Sequence, residues 1–434
     1  MNISFSNSYI VLIACILLVG CRQNNIKETD GLAVIDVVNN LGKYHEIPVS
    51  EFVSELEYIP LETGDDCLIG EHIRDLAVTS THIFVRDETN CYAFDRDGRF
   101  ITQIGRVGQG PGEYQFISGL SVDEKNQSLY IETFRTILEY SFDGVFHQSI
   151  PIPKNMMGSP LGDISFVRDN LFIGHVPNYS GNEMFNFLLF DNSGEVVKSF
   201  DNHVKLDRAK PMYFFAADAA MQPFRLSGNM YVKENSNDTL YCLNEQNDLV
   251  PHYVFDLGKY VFSKEKREEE SRSRSNLNGV IEVPCTFIPG MISIPHYLFF
   301  SITAHELPTN IPFPKKRVRL TVVPPGAQRI VAHPVVGIYD IVNQKTRFLD
   351  TDPVSMLHGL INDLDGGLSF WPRYATSDNE LIEIRQAFEM KEILTEEYFA
   401  AHKFKNPQAH QKLNELLKNL DWEDNPVLVI GKLK

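Results

Sequence analysis

One segment of the sequence, residues 357–367, groups side chains that could do chemistry. It contains His358, Asn362, Asp363 and Asp365. Aspartate and asparagine supply the oxygen ligands that Ca²⁺ prefers, and histidine can act as an acid or a base. The spacing favours a turn whose polar side chains bond to its own backbone. The alternative is a Ca²⁺ ion held by Asp363 and Asp365 with His358 as acid or base, as in a metal-dependent hydrolase or lyase.

A second set of side chains favours binding over catalysis. Charge-assisted donors and aromatic faces together suit recognition of a glycan, a peptide or a partner protein. The set consists of Arg74, Arg225, His358, Trp371 and Tyr374. The 13 histidines are scattered, and the sequence has no HExxH zinc motif and no GxSxG nucleophile elbow. We therefore predict no catalytic residue, and the hydrolase or lyase remains the alternative.

The net charge argues against a nucleic-acid partner, and the glycine pattern argues against a bound nucleotide. The formal net charge of −17 argues against a nucleic-acid surface. The glycine-rich stretch 105–112 lacks the Lys-Ser/Thr of a P-loop and does not open a helical segment. Its glycines are therefore better explained as turns between structural repeats.

The elements that must position these residues are short strands. Apolar runs separated by polar turns begin near Ile73, and one hydrophobic, polar turn, hydrophobic layout recurs. It occurs at 94–100, 140–146 and 190–196, and in weaker form at 243–249 and 339–344. A period of about 46 to 50 residues predicts the blades of a β-propeller.

The amino-terminal sequence predicts where in the cell the protein is located. Residues 9–20 form an uncharged apolar run, shorter than the roughly 20 residues that span a bilayer. The sequence Leu-Val-Gly-Cys at 18–21 matches the bacterial lipobox, which predicts lipidation of Cys21 and a membrane anchor. The absence of an acidic run after Cys21 favours a periplasm-facing position on the outer membrane.

Four cysteines remain in the body of the chain after Cys15 and Cys21. Their wide spacing contains no CxxC, so a structural zinc site is not predicted. Cys67 and Cys91 could pair in an oxidising envelope, or both could be buried free thiols. The sequence leaves this open.

Three segments together resemble the bacterial six-bladed β-propeller lipoprotein family, whose repeats are similar to NHL repeats. They are YIPLET at 58–63, GRVGQGPGEY at 105–114 and NPVLVI at 425–430. The resemblance covers most of residues 45–434. It implies an all-β, six-bladed propeller in the cell envelope, and it implies no particular reaction.

These observations divide the chain into three parts. We expect a signal peptide at 1–20, a polar tether at 21–44 and the propeller at 45–434. Within the propeller, 258–329 is expected to be an insertion or a decorated blade. Leucines at helical spacing predict an amphipathic helix at 408–420. A strand at 426–432 is expected to close the ring with an early strand at 56–61.

Overall fold

The structure is a computed structural model that describes most of the chain after residue 31. The described residues are 32–155, 158–178, 182–203, 205, 220–226, 228–234, 237–261, 263–266, 268, 286–305, 319–320, 331–351, 358–377 and 380–434. The predicted signal peptide and Cys21 lie outside them.

Six sheets form the blades of a β-propeller, as the sequence predicts. Blades 1 to 3 each consist of four consecutive antiparallel strands. From the axis outward, blade 1 contains Asp75–Val78, His82–Arg86, Cys91–Asp95 and Phe100–Gln103. Blade 2 contains Gly119–Asp123, Ser128–Glu132, Thr136–Ser141 and Phe146–Pro151. Blade 3 contains Gly162–Arg168, Leu171–His175, Phe185–Asp191 and Val196–Asp201.

Blades 4 and 5 each gain a parallel strand on their outer edge from the start of the chain. Blade 4 contains Ala220–Leu226, Asn229–Glu234, Thr239–Leu243, Leu249–Asp256 and the added strand Ala33–Asp36. Blade 5 contains Thr286–Ile294, Tyr297–His305, Val331–Asp340, Lys345–Leu349 and the added strand Tyr44–His45. The short strand Arg319–Leu320 also pairs with the third strand of blade 5.

Blade 6 closes the ring with strands from both ends of the chain. It contains Tyr374–Ala375, Glu380–Arg385, Val427–Leu433 and Val53–Pro60. The last two strands are antiparallel over their whole length, from Val427 opposite Pro60 to Leu433 opposite Val53. Pairing the two ends removes the open edges that an unclosed ring would expose.

Each pair of neighbouring blades encloses its own apolar core. In the second strand of blade 1, Ile83 and Val85 pack toward blade 6, whereas Phe84 packs toward blade 2. All three side chains are completely buried. Because successive strand residues face opposite sides, a strand buried on both faces reads as a continuous apolar run. This explains why the sequence shows such runs as often as alternation.

The recurring turn lies at the same place in five successive blades, between the third and fourth strands. In blade 1, Gly98 has a φ of +83°, which an L side chain rarely adopts. The Asp95 carboxylate accepts bonds from the backbone N–H groups of Asp97 and Arg99. Asp191 accepts equivalent bonds from Ser193 and Glu195 in blade 3. The repeat is therefore a hairpin stabilised by its own aspartate.

Three helices are inserted between the second and third strands of blade 6. They are α1 (Ala387–Ile393), α2 (Glu396–Ala401) and α3 (Pro407–Asn419). The Asn406 side chain caps α3 by accepting bonds from two backbone N–H groups, and Leu413 is buried against the other helices. The predicted helix at 408–420 corresponds to α3.

One predicted boundary differs from the structure. Residues 33–36, expected to belong to the tether at 21–44, form an edge strand, because Ile35 packs in the core between blades 4 and 5. The edge strand Tyr44–His45 crosses the expected boundary between tether and propeller. Residues 286–305 supply the two inner strands of blade 5, so 258–329 contains blade strands and is not an insertion alone. The question left open on the cysteines is answered, since Cys67 and Cys91 are both buried free thiols.

None of the described helices has both the length and the apolar character needed to cross a membrane.

Candidate functional site

A cavity of about 900 Å³ lies on the axis of the propeller. Residues from the innermost strands of all six blades line it. Because each inner strand is hydrogen-bonded to the rest of its blade, the wall is rigid and the cavity exists without a ligand. This volume lies within the usual range for ligand sites, about 300–1,000 Å³.

The cavity extends toward both faces of the ring. We call the face where each inner strand turns into its second strand the hairpin face, and the other the opposite face. Lys125 and Asp169 line the cavity from hairpin turns. Arg74 and Arg373 line it from positions just before the inner strands of blades 1 and 6. Charged side chains therefore stand at both ends.

Side chains on the inner strands bond to the backbone of the next blade. The Asp75 carboxylate accepts a bond of 2.9 Å from the N–H of Leu120, which joins blades 1 and 2. The Ser121 hydroxyl accepts a bond of 3.2 Å from the N–H of Phe166, which joins blades 2 and 3. These bonds fix the wall from one blade to the next.

Arg225 links blades 3 and 4 in the same way. Its guanidinium donates to the carbonyl oxygens of Phe166 and Val167. The ladder between the first two strands of blade 3 shifts register next to Phe166, so these carbonyls need donors from outside the strand pair. Arg225 lies on the cavity wall, as predicted, and part of its hydrogen-bonding capacity is used to hold that wall together.

Tyr374 and Asp75 are ionisable groups of the wall whose charged forms are disfavoured. Burial raises the pKa of Tyr374 to about 12, and the nearby Asp75 carboxylate adds to the shift. Burial also raises the pKa of Asp75, although the Nε atom of Arg86 lies 4.0 Å from its carboxylate. The phenol of Tyr374 is therefore neutral at physiological pH.

Arg74 and Trp371 line the cavity toward the opposite face. The Arg74 guanidinium lies 2.5 Å from the carboxylate of Glu88, and both side chains are more than half exposed. The Trp371 ring packs edge-on against Phe299 with 5.7 Å between ring centroids. Thus the structure brings Arg74, Arg225, Trp371 and Tyr374 to one cavity.

The predicted cation residues lie elsewhere, in the connection between blades 5 and 6. Asp363 accepts bonds from the hydroxyl of Ser50 at 2.6 Å and from the ammonium of Lys405 at 2.7 Å. Burial alone would raise the pKa of Asp363, but the bonds from Lys405 and Ser50 outweigh it and lower that pKa. Both of these donors contact the same carboxylate oxygen, and the Ser50 N–H donates to the other at 3.0 Å, so both oxygens are occupied by protein donors.

Asp365 is buried under the helices. It accepts bonds from the Tyr58 hydroxyl, the Asn362 side chain and the Gly367 N–H. Burial raises its pKa. The arrangement is that of a turn whose polar side chains bond to their own surroundings, which is the interpretation that the sequence favours.

His358 does not line the axial cavity either. Its Nδ1 atom lies 3.2 Å from the Thr351 hydroxyl, and burial lowers its pKa. Across the part of the chain that the structure describes, no three His, Cys, Asp or Glu side chains converge as metal ligands would. The geometry therefore gives no support to a Ca²⁺ site at Asp363 and Asp365.

Sequence reasoning missed three basic residues of the cavity wall, Lys125, Arg168 and Arg373. Arg373 lies between Trp371 and Tyr374, both of which were predicted, and Lys125 lies in the turn after the inner strand of blade 2. The signal was available in their neighbours. A residue just before or after an inner strand of a propeller faces the mouth of the channel.

Comparison with known families gives one match. Residues 32–432 match the family described as a domain of unknown function, DUF4934. None of the curated proteins is similar enough in sequence to match.

One solved structure supports the fold. A candidate exported protein from Bacteroides fragilis aligns with a TM-score of 0.64 and 17% identity, over 92% of this chain and 99% of that one. A protein of unknown function from Bacteroides thetaiotaomicron gives a TM-score of 0.38 and 9% identity, over 75% and 71% of the two chains. The WD40 domain of Neurospora crassa Pan2 gives a TM-score of 0.37 and 13% identity, over 77% of this chain and 78% of that one.

Proposed function

The chain belongs to the DUF4934 family, and from the geometry of its cavity we propose that it is a lipid-anchored recognition module of the bacterial cell envelope. The axial cavity is the binding site. Its ligand is a glycan, a peptide or a segment of a partner protein that enters the ring.

One observation carries this proposal, the cavity of about 900 Å³ whose wall is built from all six blades. A preformed site loses little conformational entropy when it binds, so few contacts are needed for affinity. Apolar side chains such as Ile292 and Phe299 stand in this wall beside charged ones. That mixture suits a ligand with both a carbon skeleton and polar groups.

The anchor rests on the sequence alone. The apolar run at 9–20 followed by Cys21 supports export, cleavage and lipidation, and more than one acyl chain gives stable attachment. The resemblance to envelope propeller lipoproteins supports the same location. Replacing Cys21 by Ser should move the chain from the membrane fraction to the soluble fraction, and continued membrane attachment of that variant would contradict the anchor.

The binding site is tested by filling the cavity. Ile292 is a partly buried residue of the wall, and Ile292→Trp adds bulk there without changing charge. Val197, on the outer strand of blade 3, is half exposed, so Val197→Trp is a matched control away from the axis.

The measurement is the melting temperature of each protein with a panel of sugars, sugar acids and short peptides. We expect compounds that raise the melting temperature of the native chain and of Val197→Trp, and no such rise for Ile292→Trp, because only that variant loses the site. Equal responses in all three proteins, or no response from any compound, would contradict the proposed site.

A further inference from the structure

The cavity wall is basic in a chain that is acidic overall. Acidic residues exceed basic ones by 17 in the whole sequence. In the cavity wall the basic residues are in the majority. They are Arg74, Lys125, Arg168, Arg225 and Arg373, against the acidic Asp75, Asp123, Glu124 and Asp169. The wall therefore carries a formal charge of +1, with five basic and four acidic residues, whereas the whole chain carries −17.

Most of the acidic side chains of the wall accept hydrogen bonds from the protein itself. Asp75 accepts bonds from the N–H groups of Leu76 and Leu120. Asp123 is buried and accepts bonds from the backbone and side chain of Asn126.

Glu124 accepts bonds of 2.7 Å from the N–H of Ser80 and from the hydroxyl of Ser377. Carboxylates held in this way are poor acceptors for a bound cation. Only Asp169 among the four accepts no hydrogen bond from the described residues, and it lies in the hairpin turn of blade 3.

Two of the five basic side chains, Arg373 and Lys125, keep their donors for a ligand. The other three, Arg74, Arg168 and Arg225, bond to protein acceptors. Arg373 and Lys125 are exposed, and neither side chain makes a hydrogen bond or an ion pair within the described ranges. Burial raises the pKa of Glu383 to about 7, and Arg373 opposes that shift through its charge. The Glu383 carboxylate is already bonded to Arg385 at 2.6 Å, so the guanidinium of Arg373 remains available.

The two unpaired cations lie at different ends of the cavity. Arg373 precedes the inner strand of blade 6 at the opposite face, and Lys125 follows the inner strand of blade 2 at the hairpin face. Between them the wall includes the apolar side chains of Phe224, Ile292 and Phe299. An anionic group would therefore meet a free donor at either end and apolar surface between.

We propose that the axial cavity binds a ligand that carries carboxylate groups on a compact carbon skeleton. This inference rests on the proposed function and names the chemistry of its ligand. The carboxylates accept bonds from Arg373 or Lys125, and the carbon skeleton contacts the apolar wall. A free organic acid and an acidic chain share this chemistry, so both serve as probes.

The test compares acids with neutral analogues by calorimetric titration. Citrate is compared with trimethyl citrate for the free acid, and tri-glutamate with tri-glutamine for the chain. We expect each acid that binds to do so at least about tenfold more tightly than its neutral analogue, with weaker binding at high salt. Tighter binding of citrate than of tri-glutamate indicates a free organic acid as the ligand, and the reverse order indicates an acidic chain.

Matched variants test whether Arg373 and Lys125 bind the carboxylates. Arg373→Gln combined with Lys125→Gln should weaken binding of the acid by about tenfold. Arg99→Gln combined with Lys345→Gln removes two exposed cations that lie outside the cavity, and it should leave the affinity unchanged.

The outcomes separate this inference from the proposed function. Equal binding of acid and neutral analogue, lost in Ile292→Trp, would overturn the carboxylate and leave the cavity as the site. Binding of the acids that survives Ile292→Trp would overturn both. Failure of both acids to bind at about 10 mM would overturn the carboxylate ligand.

Discussion

Arg225 shows how one side chain of the cavity serves structure as well as recognition. Its guanidinium satisfies the carbonyls of Phe166 and Val167 in the neighbouring blade. Arg225→Met keeps much of the aliphatic stem and removes these donors, so we expect the free energy of unfolding to fall by about 1 kcal/mol in a urea titration. The figure is small because the Arg225 side chain is in part exposed to solvent in the cavity.

Arg99→Met provides the control, since Arg99 is exposed and its side chain makes no hydrogen bond within the described residues. If the two variants lost the same stability, Arg225 would not be a link between blades.

Glu132 predicts a pH dependence that can be assigned to one group. Burial raises the pKa of Glu132 from 4.5 to about 7, with smaller contributions from Asp163 and Asp75. The folded chain therefore holds this proton more tightly than the unfolded chain, and stability is lost as the pH rises through that interval. Glu132→Gln stays neutral and can still accept the bond of 2.9 Å from the N–H of Ile164.

We expect the stability of Glu132→Gln relative to the native chain to increase by about 1–3 kcal/mol between about pH 5 and about pH 8. Urea titrations at the two pH values measure it. Glu195→Gln, at an exposed turn of blade 3, should show no such trend. A difference for Glu132→Gln that did not change with pH would show that Glu132 is not protonated in the folded chain.

At the scale of elements, the added strand on blade 4 depends on burial of one face. Ile35 is completely buried in the core between blades 4 and 5, whereas its neighbour Val34 is 44% exposed. Ile35→Ala should cost about 2–4 kcal/mol, because it leaves a cavity in a packed core. Val34→Ala should cost less than about 0.5 kcal/mol.

Chemical denaturation of the two variants decides whether residues 33–36 belong to the propeller. Equal and small losses would mean that this segment is a tether, as the sequence alone suggested.

The elements also show where sequence reasoning succeeds and where it fails. The hairpin with Gly98 and its later copies reveals the blades, because local turn chemistry repeats with each of them. The strand Ala33–Asp36 is not predicted from the sequence, because it pairs with residues more than two hundred positions away. The sequence leaves open whether 258–329 is an insertion or a decorated blade, because the gap between the turn copies at 243–249 and 339–344 is about twice the period.

At the scale of the whole molecule, the closed ring of six blades determines which side chains line the axial cavity. The sequence interpretation assigns Arg74, Arg225 and the segment 357–367 to inner strands, with Trp371 and Tyr374 after that segment. The structure places Arg74, Arg225, Trp371 and Tyr374 on the cavity wall. The described part of the segment, 358–367, is a connection between blades 5 and 6 and not an inner strand, so its polar side chains bond to neighbouring residues outside the cavity.

The ring also accounts for the charge of the cavity. Basic side chains come to the axis from blades far apart in sequence, so neither the net charge nor any local motif reveals them. Arg373 was missed for this reason, although it lies between two residues that were predicted.

The central claim is that the axial cavity holds the ligand of this protein, and native mass spectrometry tests it directly. The native chain, Ile292→Trp and Val197→Trp would each be purified from the envelope of the same host and weighed without denaturation. We predict an additional non-covalent mass, lost on denaturation, on the native chain and on Val197→Trp that is absent from Ile292→Trp. An additional mass of equal abundance on all three proteins, or on none, would contradict the account.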